Sequence, residues 1–425
     1  MRNDMSFGRL VQEDRVHRSI YTDPAIFEAE RRKIFKTTWL YVGHESMVPN
    51  VGDYYCTKLA GEAVVMSHHR DGNIYVLFNR CGHRGAKVLQ NGSGNAKLFS
   101  CMYHGWTFLP DGSLNGVPMR QDFPAPALAE RDSGMVRLPR VETYRGFVFA
   151  SFAADGRSLE EHLGPARTGI DEMVDRSPTG EIELWAGCHR YHFKGNWKLQ
   201  LENMADMYHP AATHISTVGP DGRQFQRRSG AKGGSAPFFA DNGEAVVAQT
   251  GVRGYPNGHS SEASLFREEQ SGEGWDEYRT MLVESYGEER TREILRNQRH
   301  SMTIFPNLDV LIAQTSIRVV RPIAVDRTEV EVWPIRLKGA PDMISTDLVR
   351  FVNITHAAAS FIQTDDLEAF ERCQEGLMTQ GADWVLVARG LGDEVEEEAG
   401  VLFGDRSSEV GQRSQHYGWR DLMDA

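Results

Sequence analysis

No apolar run in this chain approaches the roughly 20 residues that a membrane-spanning helix needs. The opening MRNDMSFGRLVQEDRVHRS also lacks the apolar core of a secretory signal, so a cytoplasmic location is the expectation. Cysteine is scarce: Cys56, Cys81, Cys101, Cys188 and Cys373 form an odd, scattered set, which argues against a disulfide framework. Basic charge is in deficit, with 47 Lys and Arg against 59 Asp and Glu and a formal net charge of −12. A phosphate backbone needs a basic surface, so nucleic acid drops out as a partner class. No complete GxGxxG occurs either; Gly92-Ser93-Gly94 lacks the third glycine and falls in a turn-like stretch. A nicotinamide-binding domain is therefore not expected, and any electrons the chain uses must come from another protein.

What is present suits two or three domains of a globular protein, with 425 residues, 40% of them apolar and 25% charged. Residues 23–37, DPAIFEAERRKIFKT, predict a helix with Asp23 as N-cap and Pro24 in its first turn. From about 38 to 155 short β-rich runs such as AVVMSH, NIYVLF and GFVFASF alternate with Gly/Asp/Asn turns, predicting a small β domain. Helical texture returns over 158–177, followed by a strand at HRYHF and a helix over 196–209. The polar, glycine-rich 219–260 stretch has no pattern and predicts a flexible or lid-like loop. Strands resume at DVLIAQTSIRVVRPI and TEVEVWPIRL, and a helix follows from about 366 to 379.

Two constellations carry chemistry. Cys81-Gly82-His83 and Cys101-Met102-Tyr103-His104 give Cys-x-His, 17 residues, then Cys-x2-His. Two thiolates and two imidazoles on paired short loops suit a [2Fe–2S] centre of mixed ligation. Structural zinc is the alternative, but common zinc fingers place both cysteines before both histidines, so the alternating order favours iron–sulfur. Glycines at 82, 85 and 105 permit the tight turns such loops need.

The second constellation is His209 and His214 in ENMADMYHPAATH. Five residues apart, they would point about 140° apart on a regular helix, so Pro210 is expected to break it. Asp206, three residues before His209, would share its face. Two imidazoles and one carboxylate make the facial triad that suits non-haem Fe(II). The carboxylate is sought in Thr364-Asp365-Asp366-Leu367-Glu368. Asp365 with Glu368 fits a reciprocal helix cap, which leaves Asp366 free to ligate and Glu368 and Glu371 as weaker alternatives.

CGHRG with CMYHGW and TFLPDGSL resembles the Rieske domain of ring-hydroxylating oxygenases. ENMADMYHPAATH resembles that family's EN-x-AD-x-YH-x4-H signature, and TDDLEAFERCQ resembles the stretch carrying its carboxylate ligand. The resemblance runs from about residue 20 to the C-terminus, with 219–300 least matched, and is nearest the benzoate, toluate, anthranilate and cumate group. It implies an α+β protein: an N-terminal helical segment over 1–37 packing on the catalytic domain, a small all-β Rieske domain over 38–155, and a catalytic domain over 156–425 whose antiparallel sheet is flanked by helices. It implies that Cys81 and Cys101 bind one iron of a [2Fe–2S] cluster and His83 and His104 the other, with Arg84 and Trp106 packed around it. It further implies a mononuclear Fe(II) on His209, His214 and Asp366, with Asp206 as the electron bridge towards a neighbouring subunit's cluster. Asn203, Met204 and Met207 are candidates for the substrate pocket, although core packing explains a methionine equally well. No arginine stands out as a clamp for a substrate carboxylate.

The partners the resemblance implies are O2, an aromatic substrate, and an NADH-dependent reductase with or without a ferredoxin. It also implies a trimer of alpha subunits, and SSEVGQRSQHYGWRDLM resembles members that pair with a small β subunit. The expected reaction is dihydroxylation of an aromatic carboxylate to a cis-dihydrodiol. A Rieske monooxygenase is the nearest rival, because the iron ligands would be the same. A plain electron-transfer protein would need only the first constellation.

Overall fold

The computed structural model describes residues 7–90, 92–124, 128, 133–184, 187–214, 251–263, 272–296, 299–405 and 407–425. The chain divides into two compact units, one of residues 35–159 and one of residues 1–34 with 160–425.

The first unit is built from antiparallel strands. One sheet runs Ile74–Phe78, Glu62–His68, Asp53–Leu59, Gly92–Asn95, and a second runs Arg140–Tyr144, Phe147–Ser151, Leu40–His44. Gly92-Ser93-Gly94 thus sits in a strand paired with Tyr54, Tyr55 and Cys56 rather than in a turn. A third, small sheet joins Phe99–Ser100, Thr107–Phe108 and Leu114–Gly116. Several of these strands are buried along most of their length, Val64–Ser67 in the first sheet and Leu40–His44 and Phe147–Ser151 in the second. Val65, Leu77, Phe99, Trp106 and Phe108 form one buried cluster that includes Cys81 and Cys101. Both cysteines are therefore anchored in the core while the loops that carry them extend outward.

The second unit centres on a large antiparallel sheet. Its order is Ile182–Leu184, Arg327–Leu337, Ser316–Ala324, Leu308–Leu311, Arg299–Ile304, Ser260–Ala263, Gly251–Gly254, Leu402–Asp405, Val395–Glu396, with His189–Phe193 also pairing with Arg327–Leu337. Part of the stretch expected to be a loop is thus sheet: Gly251–Gly254 and Ser260–Ala263 are paired strands. Both are short and rich in glycine and serine, and they carry no apolar alternation. Residues 219–250 of that expected loop lie outside the described residues.

Helices pack around this sheet. α1 is Pro24–Lys33, and Asp23 caps it as expected by accepting from the Ala25 N–H. α2 is Trp197–Asn203, α3 is Pro210–Thr213, α4 is Gln363–Met378 and α5 is Val410–Asp424. A buried ion pair sets the first and last of these against α2: Lys198 donates to Glu30 at 2.5 Å, and the Trp197 and Trp419 indoles donate to the same carboxylate. With three donors the buried Glu30 charge is compensated rather than stranded. α2 and α4 are then keyed end to end. The Asn196 N–H donates to Gln374 Oε1 at 2.9 Å, while eight residues back along α4 Asp366 meets Asn203 at 3.1 Å. The two helices run antiparallel, so the end of α2 meets the first turn of α4. Among the described residues, no helix is long and apolar enough to cross a membrane.

Candidate metal centres

The cluster motif is one loop used twice. In the first copy the Cys81 N–H donates to Ala86 O at 2.8 Å and the Gly85 N–H to Cys81 O at 3.0 Å. In the second the Cys101 N–H donates to Trp106 O at 2.8 Å and the Gly105 N–H to Cys101 O at 3.0 Å. Gly85 and Gly105 adopt φ of +74° and +72°, a left-handed turn that suits glycine. Gly82 is required for a different reason: a Cβ there would lie 2.5 Å from the Ser133 carbonyl oxygen. Asn79 clamps the chain beyond the first loop, accepting from the Val88 and Leu89 N–H groups and donating back to Leu89 O.

These loops bring all four expected side chains to one place. Burial pushes the Cys81 thiol up and the neighbouring Cys101 thiol adds to the shift, so two soft sulfur ligands lie side by side. The His83 and His104 rings stand 4.6 Å apart, and His83 stacks on the buried Trp106 at 4.9 Å, nearly parallel. Burial, with the charges of His104 and Arg84, holds the His83 imidazole below its ordinary value, hence neutral. Its Nδ1 is buried without a partner. A buried, neutral, unsatisfied imidazole nitrogen beside paired thiols fits mixed cluster ligation. Trp106 packs here as expected, whereas Arg84 is exposed.

The triad comes from two distant segments. α2 stops at Asn203, so the helix expected over 196–209 ends six residues early. His209 then immediately precedes α3, Pro210 is that helix's first residue, and His214 follows its end. Pro210 therefore starts a helix rather than breaking one, as its fixed φ and missing N–H suit. A single short helix bracketed by the histidines places their rings 5.2 Å apart.

Both Nε2 atoms face one carboxylate oxygen. Asp366 Oδ1 lies 3.1 Å from His214 Nε2 and 3.5 Å from His209 Nε2. The outer nitrogens are held separately: His209 Nδ1 donates to Asp206 O at 2.8 Å, and His214 Nδ1 to Asp365 Oδ2 at 3.3 Å. Those bonds fix the tautomers and aim two lone pairs inward. Burial raises Asp366, but its contacts with His214 and His209 outweigh that and hold the carboxyl below its ordinary range. His209, Asp366 and His214 thus present two nitrogen lone pairs and an anionic oxygen, all within 4.8 Å of one another. Three acceptors so close need a cation or protons between them, and two imidazoles with one carboxylate suit Fe(II). The Asn203 amide donates to both His209 Nε2 and Asp366 Oδ1 at 3.1 Å, steadying the set from one side.

Several expectations need correction. α4 begins at Gln363, so Asp365 is inside the helix and orients His214 instead of capping. Glu368 pairs with Arg372, and Glu371 accepts from the Lys194 N–H, so neither competes with Asp366. The Asp206 carboxylate accepts from the Tyr208 and His209 N–H groups, while its backbone carbonyl is the nearer partner of the His209 ring. Asn203 touches the triad itself. Met207 packs with Val252 and Val410, whereas the Met204 sulfur accepts from Arg318 at 2.9 Å. Arg318 is the residue that sequence reasoning missed; the one signal was a lone arginine within the apolar strand SIRVV.

Comparison with known proteins agrees with both centres. The family description "Rieske [2Fe-2S] domain" matches residues 38–141, and "Ring hydroxylating alpha subunit (catalytic domain)" matches residues 184–425. The chain is 32% identical to the 2-halobenzoate 1,2-dioxygenase large subunit of Burkholderia cepacia, over 88% of this chain and 80% of the relative. It is 31% identical to the toluate 1,2-dioxygenase subunit alpha of Pseudomonas putida, over 97% and 93% respectively. Among solved structures, naphthalene 1,2-dioxygenase with indole in the active site superposes with a TM-score of 0.85 at 27% identity, covering 99% of this chain and 95% of that one.

Proposed function

The chain belongs to the family of Rieske ring-hydroxylating dioxygenase alpha subunits, and from that premise we propose that it dihydroxylates the ring of an aromatic carboxylate to a cis-dihydrodiol. The observation that carries the oxygenase chemistry is the convergence of His209 Nε2 and His214 Nε2 on Asp366 Oδ1, in a chain that also holds a Rieske domain. The relatives that act on 2-halobenzoate, toluate and anthranilate support an acid substrate.

Cys81, His83, Cys101 and His104 hold the cluster, and His209, His214 and Asp366 hold one iron per chain. Bound there, the cluster supplies electrons singly and the iron supplies the oxygen-activating chemistry. The chain's own residues set the stage for it. Asp206 O and Asp365 fix the histidine tautomers, and the Asn203 amide keeps Asp366 turned to them. His214 and Asp366 are buried, their side chains 3% exposed, while the His209 side chain is 20% exposed. The reaction consumes one arene, one O2, two electrons and two protons for each diol. The electrons come from NADH through a separate reductase, with or without a ferredoxin. A small beta subunit and a trimer of alpha subunits complete the assembly, with Asp206 as the bridge between neighbouring centres.

The test is turnover of benzoate by the reconstituted system under 18O2. A diol carrying two labelled oxygens is expected. A product with one labelled oxygen would make the chain a monooxygenase, and no oxygenated product from any aromatic acid would sink the acid reading.

A further inference from the structure

Arg318 is a buried cation without an ion-pair partner among the described residues. It lies in the strand Ser316–Ala324, is 2% exposed, and stands directly opposite Asp309 on the neighbouring strand Leu308–Leu311. A cross-strand pair of opposite charge would ordinarily close. Here Asp309 instead accepts from the Thr303 hydroxyl at 2.7 Å. The guanidinium reaches elsewhere: Nη1 donates to Met204 Sδ and Nη2 to His356 Nδ1, both at 2.9 Å. A thioether and an imidazole are neutral partners, and the imidazole is kept uncharged by burial and by Arg318 itself. Arg318 Nε is buried with no partner at all, as is His356 Nε2.

This arrangement borders the triad. Met204 follows Asn203, whose amide holds Asp366 and His209. A guanidinium presents donors in a planar fork that matches a carboxylate in two parallel bonds. Burying such a charge without an anion is costly, so a site built this way is complete only when an anion arrives.

We propose that the Arg318 guanidinium anchors the carboxylate of the aromatic substrate beside the iron site. The proposal rests on the aromatic-acid reading above and assigns it a residue. Met204 and His356 hold the guanidinium plane, leaving Nε and the remaining N–H groups for the substrate. A neutral arene would leave those donors unpaired.

The test is calorimetric binding of benzoate and of its neutral isostere benzamide to the anaerobic holoenzyme, wild type against Arg318→Gln and Arg318→Lys. Cluster absorbance and iron content serve as controls for an intact fold. Wild type should prefer benzoate, and Arg318→Gln should weaken benzoate binding about 30-fold or more. The same variant should leave benzamide within about threefold, with Arg318→Lys in between because it keeps the charge and loses the fork. If Arg318→Gln keeps the wild-type preference for benzoate, the anchor lies elsewhere and this proposal alone fails. If wild type shows no preference for the acid, both this proposal and the aromatic-acid reading fall. Should Arg318→Gln not fold, a crystal structure of the wild-type holoenzyme with benzoate decides. Carboxylate oxygens within hydrogen-bond distance of Arg318 support the assignment, and a carboxylate seated elsewhere overturns it.

Discussion

Replacing Asp365 should loosen the mononuclear iron without touching the cluster. Asp365 Oδ2 accepts from His214 Nδ1 at 3.3 Å, and this bond aims His214 Nε2 at the triad. The corresponding support of His209 is a backbone carbonyl, at 2.8 Å, which no substitution removes. Loss of such an outer carboxylate typically costs 10- to 100-fold in metal affinity. The Asp365 side chain is 33% exposed and the bond is long, so solvent already screens part of the interaction. The low end is therefore expected, about tenfold or ~1.4 kcal/mol for Asp365→Leu. Asp365→Asn, which keeps an acceptor and loses the charge, should fall between that and wild type. The assay is the rate of Fe(II) transfer from reduced, anaerobic protein to a chromogenic chelator, with the Rieske EPR signal as internal reference. A helix cap would have cost stability and left iron alone. Wild-type iron retention in Asp365→Leu, or equal loss of cluster and iron, would refute the reasoning.

Three further substitutions probe other parts of the argument. Gly82→Ala puts a Cβ 2.5 Å from Ser133 O, so the first loop must shift and cluster content per chain should fall, read from visible absorbance and sulfide; full occupancy would contradict this. Lys198→Met leaves the buried Glu30 charge with two indole donors and should cost about 3–5 kcal/mol. Urea unfolding followed by tryptophan fluorescence checks this, and an unchanged midpoint would count against it. Asp309→Asn addresses pH. Burial pushes the Asp309 carboxyl from 3.8 up to about 7, so between those values the folded chain holds a proton that the unfolded chain has released. That stabilisation is full below the unfolded value and is lost as pH rises through the folded one. Asp309→Asn should therefore gain on wild type by on the order of 4 kcal/mol between pH 4 and 8. Parallel unfolding curves for the two proteins across that range would show the group titrating normally.

The parts of this molecule that were legible from sequence are those whose chemistry is local. Each cluster loop closes within six residues, so CGHRG and CMYHG announce both ligands and turn. The β-rich runs AVVMSH and GFVFASF likewise need only their own composition and the turns that bound them. What failed needed distant partners. Asp365 looked like a cap because Glu368 stands three residues on, and only packing against α3 reveals that it faces His214. The break after Asn203 carries no proline or glycine to mark it, so ENMADMYH reads as continuous helix. The strands Gly251–Gly254 and Ser260–Ala263 are glycine- and serine-rich, and they are held by neighbours in the sheet rather than by their own side-chain alternation.

Arg318 shows the same limit from the charge side. Its formal neutralisers are near in the fold, yet each is engaged or uncharged. Burial, helped by Asp206, holds Glu262 well above its ordinary range, and Asp309 is pushed up to about 7. Asp366 turns to His209 and His214. The guanidinium is thus left without an ion-pair partner among the described residues. A neutral arene would leave that charge uncompensated in a low-dielectric site, whereas an aromatic acid brings the missing anion with it. Under the anchor proposed above, the substrate preference would follow from the charge the fold leaves unpaired.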